Sequence, residues 1–302
     1  MDTFVDNYNR HWKINQFIDS GAFGKVSSCE QIKFNNDESL IKHYVVKIEK
    51  INRKSAETEK RIYQKIKSRS KRDEFADERK LLYVPLPILY GHSYSSTHQY
   101  LVLNKFRYTL ESYMHWRGIA NLSHRRTFKI AYQMVNALEF LHNLKIAHLD
   151  IKSDNIAFDT IDYPYLIDFG IADTIDDTKR YHTVSTIRYS GIDAHKGFVT
   201  RRTDLENLLF CMFKWINRSS LPWNRMHNKQ EILAQKESLK ANGYAKIINN
   251  LALSIDRQQH IEEIVNHLTS LDMHGIPNYN LIRKNLIYLS VSNEAYNIMK
   301  GM

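Results

Sequence analysis

Three stretches in the first third of the chain indicate β-strands, and one of them alternates polar and apolar residues as strands typically do. Residues 12–18 alternate in this way, residues 44–49 form an apolar stretch around one lysine, and residues 99–106 indicate a buried strand. The stretch 81–90 leads to Gly91, where we expect a turn. The beginning of the chain is therefore predicted to be mainly β.

Beyond residue 106 the apolar positions recur at helical spacing instead. A long helix is predicted over 125–142, and residues 205–215 are apolar nearly all round, as in a buried central helix. A further helix is predicted to start after residues 277–279. Apolar positions of the first helix recur every three or four residues: Ile130, Met134, Ala137, Leu138 and Leu141.

Composition places the chain among globular intracellular proteins. Of its 302 residues, 43% are hydrophobic and 25% are charged, which is enough apolar material for a sizeable core. The only cysteines, Cys29 and Cys211, offer neither a disulfide framework nor a zinc spacing, and this fits a reducing compartment. The first residues lack the features of a signal peptide, and no apolar run approaches the roughly 20 residues of a membrane helix. We therefore expect no membrane association.

The positive net charge of the chain bears on which partners it could bind. A formal net charge of +10 favours acidic partners such as nucleic acid, phosphorylated proteins or acidic peptides, or it reflects only a solvated basic surface. Residues 65–80 are strongly charged, but both signs are present. Mixed signs favour a solvated helix face over a dedicated nucleic-acid patch.

Candidate chemistry is concentrated in residues 148–155 and 168–170. The first stretch places Asp150, Lys152 and Asn155 at fixed offsets, and the second begins with Asp168 beside a Phe-Gly pair. Phosphoryl transfer from a nucleotide needs these chemical types: a carboxylate for the hydroxyl proton, a cation near the moving phosphate, and oxygen ligands for magnesium.

A glycine-containing loop follows the first predicted strand. Gly21 and Gly24 allow the backbone to approach phosphates, Phe23 can cap the loop tip, and Val26 can cover a flat base. A plain β-hairpin containing glycines explains the loop equally well.

Lys47 stands alone among apolar residues on its predicted strand. Such a lysine is usually an exposed edge residue, but after a glycine loop it is better interpreted as a phosphate-binding lysine. Its partner is expected to be Glu59 on a following helix, with Glu57 as the competing choice. We favour Glu59 because Ile62 and Tyr63 follow it as a buried helix face would.

Taken together, these residues resemble eukaryotic-type protein kinases of the casein-kinase-one superfamily, in its vaccinia-related kinase branch, and in particular the compact poxviral members. The resemblance covers residues 12–290 and rests on five segments beyond the chemical motifs: 45–49, 192–197, 201–206, 211–212 and 221–223. The insert between Glu59 and Leu101 looks like the extra helix of that branch.

The resemblance implies an α+β bilobal protein-kinase fold, with a small mainly β N-lobe that carries a regulatory helix and a larger mainly α C-lobe. It implies one protein-kinase domain over residues 1–302, with lobes at about 12–105 and 106–290 and no separate tail domain.

It also implies ATP and Mg²⁺ as cofactors, with a role for each matching residue. Asp150 would be the catalytic base, Lys152 the cation on the γ-phosphate, Asn155 and Asp168 the magnesium ligands, and Asp204 a brace for the catalytic loop. The implied nucleotide-binding residues are Ile18, Asp19, Ser20, Gly21, Ala22, Phe23, Gly24, Lys25, Val26, Val45, Lys47, Glu59, Leu103 and Ala157.

Several positions depart from the family pattern. Asp19 replaces a loop glycine, Arg107 a glycine after the hinge, and Ser185 the glycine before Thr186. Leu149 replaces the arginine through which a phosphorylated activation loop acts, so control by such phosphorylation loses its usual mechanism.

The resemblance points to protein substrates, including DNA- or chromatin-associated proteins. Arg188 follows a pattern in which a basic residue favours acidic or pre-phosphorylated sites. We expect no direct sequence-specific nucleic-acid binding, a monomer, and an intracellular site that would be the host-cell cytoplasm for a viral protein.

Three functions remain open at this point. The first is an active serine/threonine protein kinase. The second is a pseudokinase scaffold, favoured by Asp19 and Arg107. The third is a small-molecule kinase of the aminoglycoside or choline type, which would share the His-x-Asp motif and the following Asn155.

Overall fold

The computed structural model describes residues 3–21, 24–32, 44–73, 85–180 and 186–291. They form two compact units. The first contains the described residues of Met1–Arg107 together with Asp168–Ile171, and the second contains Tyr108–Ile167 and the described residues from Ala172 onward. The segment that begins at Asp168 therefore belongs with the N-terminal unit. The assignment of one kinase domain with a boundary near residue 105 stays a prediction.

An antiparallel sheet of six strands and one helix make up the described part of the first unit. The sheet order is β1-β2-β3-β4-β6-β5, and helix α1 lies between β4 and β5 in the chain. Trp12, Cys29, Val46 and Val102 form the buried centre of the sheet. The elements are β1 (Thr3–Val5), β2 (His11–Gly21), β3 (Gly24–Ile32), β4 (Tyr44–Lys50), α1 (Lys54–Asp73), β5 (Leu89–Tyr94) and β6 (His98–Asn104).

The turn predicted at Gly91 is wrong, because Gly91 lies within strand β5. A Cβ atom at this position would lie 2.2 Å from Oδ2 of Asp6. That carboxylate accepts hydrogen bonds from Trp12 Nε1 and Arg10 Nε, both at 2.9 Å. The glycine is thus required by the close approach of a buried carboxylate, and a sequence pattern does not reveal such an approach.

We expect Gly91→Ala to lower the free energy of unfolding by about 1–3 kcal/mol, because the added methyl group overpacks the Asp6 site. Thermal or chemical unfolding of the purified protein measures this loss. In an Asp6→Ala background the same substitution should cost much less, since the two sites are in contact. An equal cost in both backgrounds would contradict this explanation.

Helices dominate the second unit. Helix α3 packs against α5 and α9. The helices are α2 (Leu110–Trp116), α3 (His124–Asn143), α4 (Ile192–His195), α5 (Arg201–Ile216), α6 (Lys229–Lys240), α7 (Ala245–Asn249), α8 (Ile255–Ser270) and α9 (Tyr279–Ser290).

Among the residues described in this unit, short strands between the helices form three small sheets, ordered β10-β9-β7, β11-β8 and β12-β13. The strands are β7 (Tyr108–Thr109), β8 (Ile146–Ala147), β9 (Ile156–Phe158), β10 (Tyr165–Leu166), β11 (Asp173–Thr174), β12 (Asp176–Arg180) and β13 (Phe198–Val199). Residues 148–155, which carry the candidate chemistry, run from β8 through a 3-10 helix (Ser153–Asn155) into β9.

The helix predictions agree with this unit apart from their ends. Helix α3 starts one residue early, after Ser123 caps it by accepting the N–H of Arg126. Helix α5 begins at Arg201 rather than at 205, because the Thr200 hydroxyl accepts the N–H of Thr203 and supports a polar first turn. A strand-rich first unit and a helix-rich second unit confirm the predicted α+β class.

Some predictions lie outside the described residues. They concern the loop-tip residues Ala22 and Phe23, the residue Ser185, and positions 74–84 of the insert that was predicted to contain an extra helix. Within the described ranges, no helix is both long and apolar enough to cross a membrane.

Candidate active site

The glycine loop is the tip of the β2–β3 hairpin, in which Gly21 pairs with Gly24. Gly24 has a φ of +127°, and a Cβ atom there would lie 2.5 Å from the carbonyl oxygen of Ile48 on β4. Close packing between β3 and β4 therefore demands this glycine, in addition to any role near phosphates. Ile18, Ser20 and Lys25 are exposed on the same hairpin.

Asp19, which stands in place of a loop glycine, turns its carboxylate toward its own backbone. Its Oδ1 accepts the N–H of Ser20 at 2.7 Å, and the residue is exposed. An aspartate that makes such a local hydrogen bond satisfies part of its charge without a cation.

Lys47 lies at the centre of the first unit's candidate chemistry, buried on β4. Its Nζ donates to Glu59 Oε2 at 2.6 Å and to Asp168 Oδ1 at 2.9 Å. Glu59 is buried on α1, whereas the competing Glu57 is exposed and pairs with Lys60 at 2.8 Å. The structure thus brings three predicted residues together and favours Glu59 over Glu57.

Glu49 is a third carboxylate beside Lys47, and sequence reasoning missed it. Its Oε1 lies 3.2 Å from Nζ, while its Oε2 accepts the hydroxyl of Ser55 at 3.0 Å. A usable signal existed: residues two apart on a strand share a face, and Glu49 follows Lys47 by two.

One ammonium group among three carboxylates leaves this cluster with an excess of negative charge. Burial raises the pKa of Glu59 to about 7, and Asp168 and Glu49 add to the rise while Lys47 opposes it. Burial also disfavours the charged form of Lys47, but Glu59, Asp168 and Glu49 outweigh it and hold the pKa of Lys47 above its usual range. The cluster is therefore suited to a position next to a cation.

Asp168 and Phe169 are held by this cluster and by α1. Asp168 has a φ of +66°, and its Oδ1 also accepts the N–H of Gly170 at 3.2 Å. The ring of Phe169 packs edge-to-face against Tyr63 of α1 with ring centroids 5.0 Å apart. A helix that carries Glu59 and Tyr63 thus fixes both Lys47 and the segment that begins at Asp168.

The apolar residues predicted to bind the nucleotide belong partly to the first unit and partly to the second. Val45 and Leu103 are register partners on β4 and β6, so their side chains share one face of the sheet. Val26 is half-buried on β3, and Ala157 is buried on β9 of the second unit.

In the second unit, Asp150 is the buried acceptor around which the loop is built. Its Oδ2 accepts from Lys152 Nζ at 2.7 Å and from Asn155 Nδ2 at 2.9 Å. Its Oδ1 accepts the hydroxyl of Thr186 at 2.7 Å. Thr186 was missing from the predicted site residues, since it lies 36 positions away along the chain.

A buried carboxylate on α5 holds the backbone of this loop. Asp204 accepts the N–H of His148 at 2.7 Å and that of Leu149 at 2.8 Å. Leu149 has a φ of +68°, a left-handed conformation that a leucine adopts only under constraint. The same carboxylate lies 2.9 Å from His142 Nε2, whose ring contacts the Tyr279 hydroxyl through Nδ1 at 2.5 Å.

His148 and Cys211 have packing positions. The His148 ring is fully buried, with Nε2 3.0 Å from the carbonyl oxygen of Ile167. Cys211 is buried on α5, and burial raises the pKa of its thiol above the usual range. Both residues therefore have structural roles.

Asn155 and Asp168 have the chemistry that a magnesium ion requires. The amide nitrogen of Asn155 is used within the loop, donating to the Asp150 backbone oxygen at 2.8 Å and to its side chain. The remaining polar atom of Asn155 is an oxygen, and Asp168 contributes a partly exposed carboxylate. Oxygen ligands of these two types are those that Mg²⁺ prefers.

A family model described as the protein kinase domain matches residues 12–300, nearly the whole chain. The chain belongs to the protein kinase domain family. Members of this family use ATP and a divalent metal to phosphorylate proteins. The match favours a protein kinase over a small-molecule kinase.

Several protein kinases of known sequence are similar to this protein kinase over most of its length. The B1 kinase of monkeypox virus is 28% identical over 305 residues, which cover 94% of this chain and 95% of the relative. The B1 kinase of vaccinia virus (strain Copenhagen) is 28% identical over 301 residues, covering 92% and 94%. The human serine/threonine-protein kinase VRK2 is 25% identical over 236 residues, covering 73% of this chain and 45% of the relative.

A solved structure, that of vaccinia related kinase 3, matches this protein kinase with a TM-score of 0.76 at 20% identity. It covers 95% of this chain and 89% of the other, so it establishes the protein-kinase fold. The predicted resemblance to poxviral and vaccinia-related kinases is thereby confirmed.

Proposed function

We propose that this protein kinase transfers the γ-phosphate of ATP to serine and threonine hydroxyls of proteins, with Mg²⁺ as its metal. The environment of Asp150 carries the proposal. A buried carboxylate that holds Lys152 and Asn155 on one oxygen and a hydroxyl on the other is arranged for phosphoryl transfer.

Asp150 receives the proton of the acceptor hydroxyl in this proposal. Its Oδ1 already accepts the Thr186 hydroxyl at 2.7 Å, the distance at which a general base meets an acceptor O–H. Lys152 lies 2.7 Å from the other oxygen, where its charge is available to the phosphate that moves. Both side chains are positioned by the loop that Asp204 braces.

ATP supplies the phosphoryl group, and Mg²⁺ neutralises charge on its phosphates. We assign Asn155 and Asp168 as metal ligands, Lys47 as the phosphate-binding cation and Glu59 as the residue that holds Lys47. The hairpin residues and the apolar residues Val45, Leu103 and Ala157 are assigned to the nucleotide. The excess negative charge around Lys47 supports a cation at Asp168.

For substrates we propose proteins associated with DNA or chromatin, including acidic or pre-phosphorylated ones. The net charge of +10 and Arg188 on the segment after Thr186 support acidic partners. We propose the host-cell cytoplasm as the site of action, and the viral origin of the poxviral relatives supports it. We also propose that the protein acts as a monomer.

The pseudokinase alternative receives no support from Asp19. It depended on a carboxylate that would repel phosphates, but this carboxylate is exposed and bonded to the Ser20 backbone. The ion pair between Lys47 and Glu59 is also intact.

The test compares wild type with Lys47→Ala in phosphorylation of a mixed protein extract by labelled ATP and magnesium. We expect label on phosphoserine and phosphothreonine, and a loss of at least about 10²-fold in the variant, because a charge that stabilises the phosphates is removed. Lys13→Ala is the matched control, since Lys13 forms only a half-exposed surface pair with Glu30 on the same sheet.

Three other results would contradict the proposal. Label on choline or an aminoglycoside instead of protein would indicate a small-molecule kinase. Thermal stabilisation by Mg-ATP without transfer would indicate a pseudokinase. Equal activity of wild type and Lys47→Ala would show that the assigned role of Lys47 is wrong.

A further inference from the structure

Lys236 on α6 is fully buried, although lysine is almost never buried without a charged partner. No carboxylate of the described residues lies within ion-pair distance of its Nζ. Glu206, whose charge acts on Lys236, is 3.3 Å from Lys240 Nζ and accepts the N–H of Ile192 at 2.8 Å. A buried ammonium group without an ion pair is costly, so its presence calls for a specific reason.

The contacts of the ammonium group supply that reason. Nζ donates to the carbonyl oxygens of Ser190 at 2.7 Å and Ile187 at 3.0 Å, and it lies 3.1 Å from His195 Nε2. A protonated lysine has three donors, and the two carbonyl oxygens accept two of them. His195 Nε2 also lies 3.0 Å from the Ile187 carbonyl oxygen, to which its N–H can donate. The rings of Phe210 and Trp223 complete the site, with centroids 4.9 and 5.3 Å from Nζ.

Both carbonyl groups belong to the segment that begins at Thr186. The carbonyl oxygen of Thr186 accepts the N–H of Tyr189 at 2.9 Å, and from Ser190 it accepts the N–H at 3.1 Å and the hydroxyl at 3.0 Å. These bonds close a compact turn over residues 186–190. At its start, the Thr186 hydroxyl donates to Asp150.

We infer that Lys236 is a positioning residue for phosphorylation of protein substrates: its ammonium group fixes the 186–190 turn and thereby the setting of Asp150. The expected effect on the rate of phosphorylation rests on the proposed function. The contact between Lys236 and the 186–190 turn does not depend on that function. Lys236 touches no reacting atom and acts only through the turn.

Titration near neutral pH follows from the same geometry. Burial lowers the pKa of Lys236 to about 7, while Glu206 and Cys211 of α5 oppose the shift. Burial, and after it the charge of Lys236, lowers the pKa of His195 to about 4, so the imidazole of α4 is neutral there. Lys240 on α6 itself and Arg202 on α5 are further cations near Glu206. Above pH 7 the carbonyl bonds of Lys236 lose their charge assistance.

This titration affects activity and stability in opposite directions. The ammonium form that holds the turn prevails below about pH 7, so activity should fall as the pH rises through 7. Between about pH 7 and 10.5 the unfolded lysine keeps a proton that the folded one has lost, so stability should rise with pH in that window. A merely structural lysine would not link a loss of activity to a gain in stability.

The test uses the full chain with Lys236→Met, which keeps the length of the side chain and removes the charge. We expect kcat/KM for a protein substrate to fall by about 10²-fold while KM for ATP stays within about twofold, because a displaced acceptor site affects the transfer step. Amide hydrogen exchange over residues 187–191 should become at least about tenfold faster. The pH profile of kcat/KM should fall near pH 7 in wild type, and this fall should be missing from the profile of the variant.

Lys196→Met is the matched control. Lys196 follows α4 and pairs with Glu237 of α6 at 2.7 Å, but both side chains are about half exposed. It should therefore match wild type in kinetics and exchange. If Lys236→Met behaves like this control, the inference is wrong.

The remaining outcomes are also decisive. If Lys236→Met does not fold, Lys236→Gln replaces it, because glutamine keeps two N–H donors. The inference is overturned if Lys236→Gln has the same amide exchange and the same pH profile as wild type. If wild type itself phosphorylates no protein, the proposed function fails, and the exchange measurement alone decides whether Lys236 holds the turn.

Discussion

Asp150→Asn is expected to lower kcat for protein phosphorylation by about 10²- to 10⁴-fold, because an amide cannot take the proton of the acceptor hydroxyl. Folding should be preserved. The asparagine oxygen can keep the bonds from Lys152 and Asn155, while its amide nitrogen faces Thr186, whose hydroxyl can accept instead of donate. Initial rates at saturating ATP, together with a thermal unfolding curve, measure the two expectations.

Asp154→Asn provides the comparison for this variant. It removes a carboxylate from the same loop, but from an exposed position. Its kcat should remain within about twofold of wild type, since exposed substitutions away from special contacts change little. A kcat for Asp150→Asn equal to that of Asp154→Asn would show that Asp150 is not the base.

Asp204→Ala should destabilise the protein by about 3 kcal/mol or more and abolish activity with it. The substitution leaves three buried donors without their acceptor: the backbone N–H groups of His148 and Leu149 and the ring nitrogen of His142. Each buried group without a partner costs roughly 1–3 kcal/mol. Chemical denaturation measures the loss, and amide exchange of residues 148–149 reports the released loop.

Two further variants distinguish the loss of the Asp204 hydrogen bonds from a general effect of removing a carboxylate. Asp204→Asn keeps one acceptor oxygen, so both stability and activity should lie between those of wild type and Asp204→Ala. Asp162→Ala removes an exposed carboxylate that pairs with Lys129 at 3.7 Å, and its stability should stay within about 0.5 kcal/mol of wild type. If Asp204→Ala were as stable as Asp162→Ala, the loop would not depend on this brace.

Both predictions concern one structural problem, which is how a loop with a strained residue keeps the proposed catalytic carboxylate in place. Leu149 is held at a φ of +68° between two residues whose contacts are fixed, His148 by Asp204 and Asp150 by Lys152 and Asn155. Strain of this type persists only where surrounding bonds over-determine it. These fixed contacts account for the order of the loop, and the expected absence of a phosphorylation switch through Leu149 stays a prediction.

Much of the site was predictable because its signals are local. Spacing within residues 148–155 identified Asp150, Lys152 and Asn155, and the structure places all three on one network. The choice of Glu59 used only the buried positions Ile62 and Tyr63, which follow it at helical spacing and are 1% exposed.

Other parts depended on contacts between distant residues. A turn was predicted at Gly91 because glycine usually marks one. The carboxylate that demands this glycine belongs to Asp6, which lies far away in the sequence, before β2. Thr186 reaches Asp150 across 36 positions, and Lys236 reaches the turn across 46 and 49. No local period or motif contains such pairs.

The sequence by itself thus predicted the family through its resemblance to known kinases. It predicted the class of fold and the residue types of the site because strand and helix periods and motif spacing act over a few residues. Only the tertiary structure decided which carboxylates surround Lys47, what holds Leu149 in its left-handed conformation, and why α6 buries a lysine. These features arise where segments far apart in the chain meet, and there burial and hydrogen-bond geometry, rather than local propensity, set the free energy of each side chain.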